Sequence, residues 1–228
     1  MKYDYYYNNV PNDGPCRNNL IYTSLISEDK KTFVQWYYND SDYHRGKNQV
    51  VDPTLMEEKW EREVKFLKKM QENYPMHIPN ILDIDYTEKK IYLTVDGPDF
   101  WELSNCTTEN YIKVLPDWQE QMLGIIKAHR SLGWYKYSMH PSSYFVVDGK
   151  LKSINYFFTY HEDEPTISIK DTESHIYITR QEELRKHLET LNIDWDTPQE
   201  FKLFNKLCWF SFSKNYPQDF IEKALCIN

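Results

Sequence analysis

Residues able to do chemistry are sparse in this chain, and most of those that stand close together are neutral. The densest stretch is Lys136-Tyr137-Ser138-Met139-His140-Pro141-Ser142-Ser143, which offers hydroxyls and a single imidazole. A serine hydroxyl has no low pKa with which to take a proton, so Ser138 and Ser143 cannot do the work of a carboxylate base. His140 is open to two readings, a ligand or acid–base group near neutral pH or a structural histidine before a proline. Ser142 and Ser143 suit the capping of a turn through backbone N–H groups. Asn155 offers one neutral amide oxygen, to a cation or to backbone groups near a strand end. Glu162, Asp163 and Glu164 form an acidic run beside Pro165. Such a run is ordinarily a solvated loop, yet three carboxylates could hold a cation. Glu63 follows Lys59 by four residues, the spacing of a solvent-facing helical ion pair.

Composition narrows the chemistry further. The 228 residues are 40% apolar and 27% charged, enough for a packed core in one large domain or two small lobes. The net charge of -8 repels phosphate backbones. The basic clusters, Lys65 with Lys68 and Lys69, and Lys150 with Lys152, sit beside acids on expected solvent faces. Nucleic acid is therefore not an expected partner. Cys16, Cys106, Cys208 and Cys226 are far apart and form no C-x-x-C pair, so neither a zinc site nor a dense disulfide framework is expected. No run of 18 apolar residues exists, and MKYDYYYNN has no apolar signal core. The reading is a soluble, cytoplasmic protein with reduced thiols, no membrane partner, and neither metal nor cofactor. Two alanines, with Lys, Asn and Tyr plentiful, fit an AT-rich coding sequence such as some viruses or bacteria carry.

The elements that must position these residues follow from periodicity. Met1 to Asn19 reads as a loop around the turn cluster Pro11 to Pro15. Leu20 to Ile26 and Thr32 to Tyr38 read as strands, followed by a polar loop over Asn39 to Gln49. Asp52 and Pro53 open a helix whose apolar positions, Met56, Trp60, Val64, Leu67 and Met70, share one face. A hairpin follows, Ile81 to Tyr86 and Lys90 to Val95, and Asp96-Gly97-Pro98-Asp99 breaks it. Pro116 opens a second helix with Trp118, Met122, Ile125, Ile126 and His129 on its apolar face, and Gly133 lies just past its end. Asp148-Gly149 joins the strands Ser143 to Val147 and Leu151 to Tyr156. Helices are expected near Arg180 to Leu191, Pro198 to Ser213 and Asp219 to Leu225. Strands precede helices, which is an α+β order.

This order resembles the protein kinase fold, and three stretches sharpen the likeness. Glu61 to Met70 is similar to the kinase helix that carries an ion-pairing glutamate, with Glu63 in that place. Lys90 to Gly97 is similar to the strand that runs into the hinge between lobes, with Asp96 and Gly97 at the hinge. Leu132 to Phe145 resembles the catalytic loop. The kinase pattern H-R-D-x-x-x-x-N supplies a base at Asp and a metal ligand at Asn. Anchored on Pro141, the resemblance puts Lys136 in place of the histidine, Ser138 in place of the base, His140 in place of the basic residue after it and Ser143 in place of the Asn. Asn155-Tyr156-Phe157 falls where D-F-G belongs. The likeness covers roughly residues 20 to 160 by pattern rather than by motif identity.

What the resemblance implies is a two-lobed architecture. Residues 1–96 would form an N-terminal antiparallel sheet with one helix, and 97–228 a reduced helical lobe with the catalytic-loop-like hairpin. The departures speak against ATP-dependent catalysis. Magnesium and phosphates want anionic ligands and a cationic clamp, but Ser138, Ser143 and Asn155 are neutral. No Gly-rich loop precedes the first strands, and Thr32 to Tyr38 carries no lysine. The expectation is a pseudokinase-like module that binds a protein partner or a small ligand. The alternative is a divergent phosphotransferase using Glu162, Asp163 and Glu164.

Overall fold

A computed structural model describes residues 2–5, 22–37, 53–95, 97–105, 107–136, 139–154, 156, 159–161 and 216–227. The fold is α+β, with a small antiparallel sheet and several helices. The chain divides into two units, 1–98 with 145–157, and 99–144 with 158–228.

In the first unit, five strands pair antiparallel in the order β1-β2-β3-β5-β4: β1 is Tyr3–Tyr5, β2 Tyr22–Ser27, β3 Thr32–Tyr37, β4 Ile81–Asp85 and β5 Lys90–Thr94. Alternation sorts their side chains. Phe33, Gln35 and Tyr37 share one face with Ile91 and Leu93, and all five are buried. The helix α1, Pro53–Asn73, lies between β3 and β4 in the chain and buries Trp60, Val64, Phe66, Leu67 and Met70. Each such side chain taken out of water contributes about 1.5–3 kcal/mol. The expected apolar face from Trp60 to Met70 is present, and Lys59 and Glu63 are buried with it. Met56 and the proposed cap Asp52 lie outside the described side chains. The stretch read as a loop, Met1 to Asn19, contributes β1, whose Tyr3, Asp4 and Tyr5 pair with Ser27, Ile26 and Leu25. Strand pairing with an edge already formed overrides the weak local signal.

Tight turns hold the register. Ser27 Oγ accepts from the N–H groups of Thr32 (2.9 Å) and Lys31 (3.2 Å) and donates to Asp29. Asp85 Oδ1 accepts from the N–H groups of both Thr87 and Glu88 at 2.9 Å. The edge strand β4 carries a register shift between Ile81 and Asp83. Its Ile81 N–H donates to Gln71 Oε1 and its Ile84 N–H to Asp83 Oδ1, so side chains cover part of the open edge.

The Asp148-Gly149 hairpin is formed by β7, Tyr144–Val147, and β8, Lys150–Ser153. Positive φ at both turn residues, 49° and 71°, is the two-residue geometry that Asp-Gly favours. Although it follows the second helix in sequence, residues 145–157 belong to the first unit. The rings of Phe33 and Phe145 meet edge-on at 5.9 Å and those of Phe66 and Tyr156 lie 4.7 Å apart.

The second unit holds α2, Phe100–Leu103, α3, Tyr111–Val114, and α4, Trp118–Ser131. It also holds β6, Trp134–Lys136, paired with β9, Thr159–His161, and α5, Gln218–Leu225. Asp99 caps α2, its Oδ1 accepting from Glu102 N–H at 2.8 Å. Trp118 on α4 stacks on Tyr216 at 5.7 Å and packs on Phe220 of α5 at 5.0 Å and on Tyr111 at 5.3 Å. Trp118, Met122, Ile125, Ile126 and His129 are all buried, as the helical spacing predicts. The short α2 and α3 lie between the break at Asp96 to Asp99 and the helix that Pro116 opens; each is a single turn, and Phe100 and Tyr111 anchor them in the aromatic cluster. The expected helices over 180–191 and 198–213 lie outside the described residues. Among the described residues no helix is long and apolar enough to cross a membrane.

Candidate functional site

In the first unit the residue of interest is Glu63. The surface-pair reading fails: Glu63 is 1% exposed and Lys59 2%, so neither faces solvent. The Tyr37 hydroxyl, at the end of β3, donates to Glu63 Oε2. A phenol thus reaches the helical carboxylate from the strand that, in the kinase resemblance, should carry a lysine. By residue type Tyr37 reads as a core or interface aromatic, and it is buried; its bond to Glu63 is what the sequence does not announce. The alternation that puts Tyr37 on the same face as Phe33 and Gln35 was the available signal. Beside it, Ser24 Oγ donates to Gln35 Oε1 at 3.2 Å, making the inner face of β2 and β3 locally polar.

Gly97, expected at the hinge, passes against the β7 strand. A Cβ built there would stand 2.5 Å from the Val146 carbonyl oxygen, so only glycine fits. The adjoining Pro98 carbonyl accepts from Val146 N–H at 3.2 Å.

In the second unit the loop-like stretch is a 3₁₀ turn, Pro141–Ser143. At its N-terminus His140 has a structural role. His140 Nδ1 accepts from Ser142 N–H at 3.2 Å and lies 2.8 Å from Ser142 Oγ, so the imidazole is the N-terminal cap. Its ring meets Trp101 of α2 edge-on at 5.1 Å. Burial holds the imidazole below its usual pKa, against the opposing pull of Asp99. Ser143 is buried, and its N–H donates to the His140 carbonyl at 2.8 Å.

Around this turn the polar groups are phenols. Tyr144 Oη donates to Met139 Sδ at 2.8 Å and Tyr216 Oη to the Met139 carbonyl at 2.5 Å. Burial pushes both phenols far above their usual range, so they stay protonated donors. Lys136 is fully buried on β6 with Nζ 5.8 Å from the Tyr144 ring centre.

The structure therefore brings His140 and Ser143 together in one turn of the second unit and places Glu63 and Gly97 in the first. Ser138, Asn155 and Asp96 lie outside the described residues, as do Glu162, Asp163 and Glu164. A shallow groove of about 480 Å³ in the second unit is lined by Gln119, Glu120, Leu123, Gly124, Lys127 and Lys223, none of them a residue singled out by sequence. No protein-family model matches the chain, and no curated protein matches it in sequence.

Proposed function

We propose that this chain is a catalytically inactive, kinase-like module that acts by binding a partner. The observation that carries the reading is the bond from Tyr37 to Glu63. In an active kinase a lysine and a glutamate make that strand-to-helix link, and the lysine also holds nucleotide phosphates. A phenol keeps the link and abandons the cation. The strand–helix–hairpin order and the hydroxyls around His140 point the same way. With no lysine on β3 and with Ser138 where the resemblance sets the carboxylate base, phosphoryl transfer loses both positioning and charge neutralisation.

Calorimetry with ATP and magnesium, together with a γ-phosphate turnover assay, tests the proposal. The expected result is neither magnesium-dependent nucleotide binding nor turnover. Saturable, magnesium-dependent binding with turnover overturns it. If that turnover then collapses on neutralising Glu162, Asp163 and Glu164, the chain is a divergent phosphotransferase.

A further inference from the structure

The sheet of the first unit has a second face, opposite Gln35 and Tyr37. Register places Val34, Tyr92 and Asp83 side by side across β3, β5 and β4, and Trp36, Lys90 and Asp85 in the next row. Val34 is 1% exposed, Trp36, Tyr92, Lys90 and Asp85 are half-buried and Asp83 is exposed, so the accessible part of this face is both aromatic and charged.

This face has already taken one cation. Lys90 Nζ stands 4.6 Å from the centre of the Trp36 ring and 3.6 Å from Glu88. Asp83 and Asp85 are spent differently. Each uses Oδ1 to accept backbone N–H groups of its own hairpin, and among the described residues neither makes an ion pair. Burial first, and then Asp85, Asp83 and Glu88, push the Tyr92 phenol above its usual value. Register thus sets Asp83 beside Tyr92 and Asp85 in the next row, while Lys90 is held by Trp36 and Glu88.

We propose that this outer face, centred on Tyr92 and rimmed by Asp83 and Asp85, docks an extended, arginine-bearing segment of a partner protein. A guanidinium is planar, stacks on a tyrosine ring and bonds a carboxylate through two N–H groups at once. Asp83 and Asp85, two residues apart on one strand face, stand about 7 Å from each other, room for one such group to reach either. Phosphate-bearing partners are repelled by the same rim. The surface stands on the first unit alone and does not depend on the kinase-like reading, so either outcome of the nucleotide assay leaves it intact.

The probe is a nine-residue peptide of alternating Arg and Ser, with a version carrying citrulline at every Arg as the neutral control, titrated into the full chain by calorimetry. The expected result is saturable binding of the Arg peptide alone. Asp83→Asn with Asp85→Asn, and separately Tyr92→Ala, should each weaken it by about fivefold or more. Tyr92→Phe should bind as the parent does, because the ring and not the hydroxyl receives the cation. The asparagine pair keeps its oxygen acceptors for the hairpin, so its loss of binding reads charge and not folding. Glu109→Gln with Glu120→Gln, on exposed positions of the second unit, removes the same charge elsewhere and should leave affinity unchanged. Absence of saturable binding, equal weakening by both charge pairs, or full binding by Tyr92→Ala in a folded protein overturns the proposal.

Discussion

His140 shows how one side chain settles a local structure. Its imidazole caps the turn only while Nδ1 is an acceptor, which requires the neutral ring. Burial lowers its pKa from the usual 6.5, and it lowers that of His77 as well. The unfolded chain therefore binds protons that the folded chain refuses just below that value, and the sign follows from linkage. Stability from both histidines is fully present above about pH 6.5 and is lost as pH falls from there through their lowered folded-state pKa. Denaturant midpoints measured from pH 8 to pH 5 should decline on the acid side. In His140→Asn, which keeps an acceptor at the cap, the decline should be shallower; an unchanged slope would mean the ring is not held neutral. The identity of this residue was plain in the sequence, but its role was not, because the cap depends on a turn that Pro141 and Trp101 complete together.

At the scale of elements, close approach decides where glycine is required. Gly97 and Gly149 both have positive φ, 158° and 71°. A Cβ at Gly97 would strike the Val146 carbonyl, whereas at Gly149 nothing lies within 4 Å. Gly149→Ala should cost only the backbone preference, about 1 kcal/mol. Gly97→Ala adds a backbone clash that no side-chain movement relieves and should cost clearly more, about 2–4 kcal/mol. Urea unfolding of the two variants checks the ranking, and equal losses would show that β7 yields. The Asp-Gly turn was legible because it is local. The contact at Gly97 joins residues 49 apart, Gly97 and Val146, and no local pattern announces it.

For the whole molecule, chain order and structural membership part company. The first unit takes residues 145–157 from beyond α4, and with them Phe145 against Phe33 and Tyr156 against Phe66. A fragment of residues 1–98 loses those two ring contacts and should show no cooperative urea transition by circular dichroism. The same fragment joined to 145–157 through a flexible linker should recover one; cooperative unfolding of 1–98 alone would refute the role given to the hairpin. The sequence by itself determined the strands β2 to β5, the helices α1 and α4 with their apolar faces, and the shortage of charged groups in the stretch around His140. Each of these rests on residue type and spacing over a few positions. Only tertiary structure decided that Glu63 and Lys59 are buried, that Tyr37 bonds Glu63, that β1 extends the sheet, and that one sheet face sets Tyr92 beside Asp83 and Asp85 of β4. Those facts depend on which distant segments meet, and burial changes the energetics of a charge in a way that spacing cannot record.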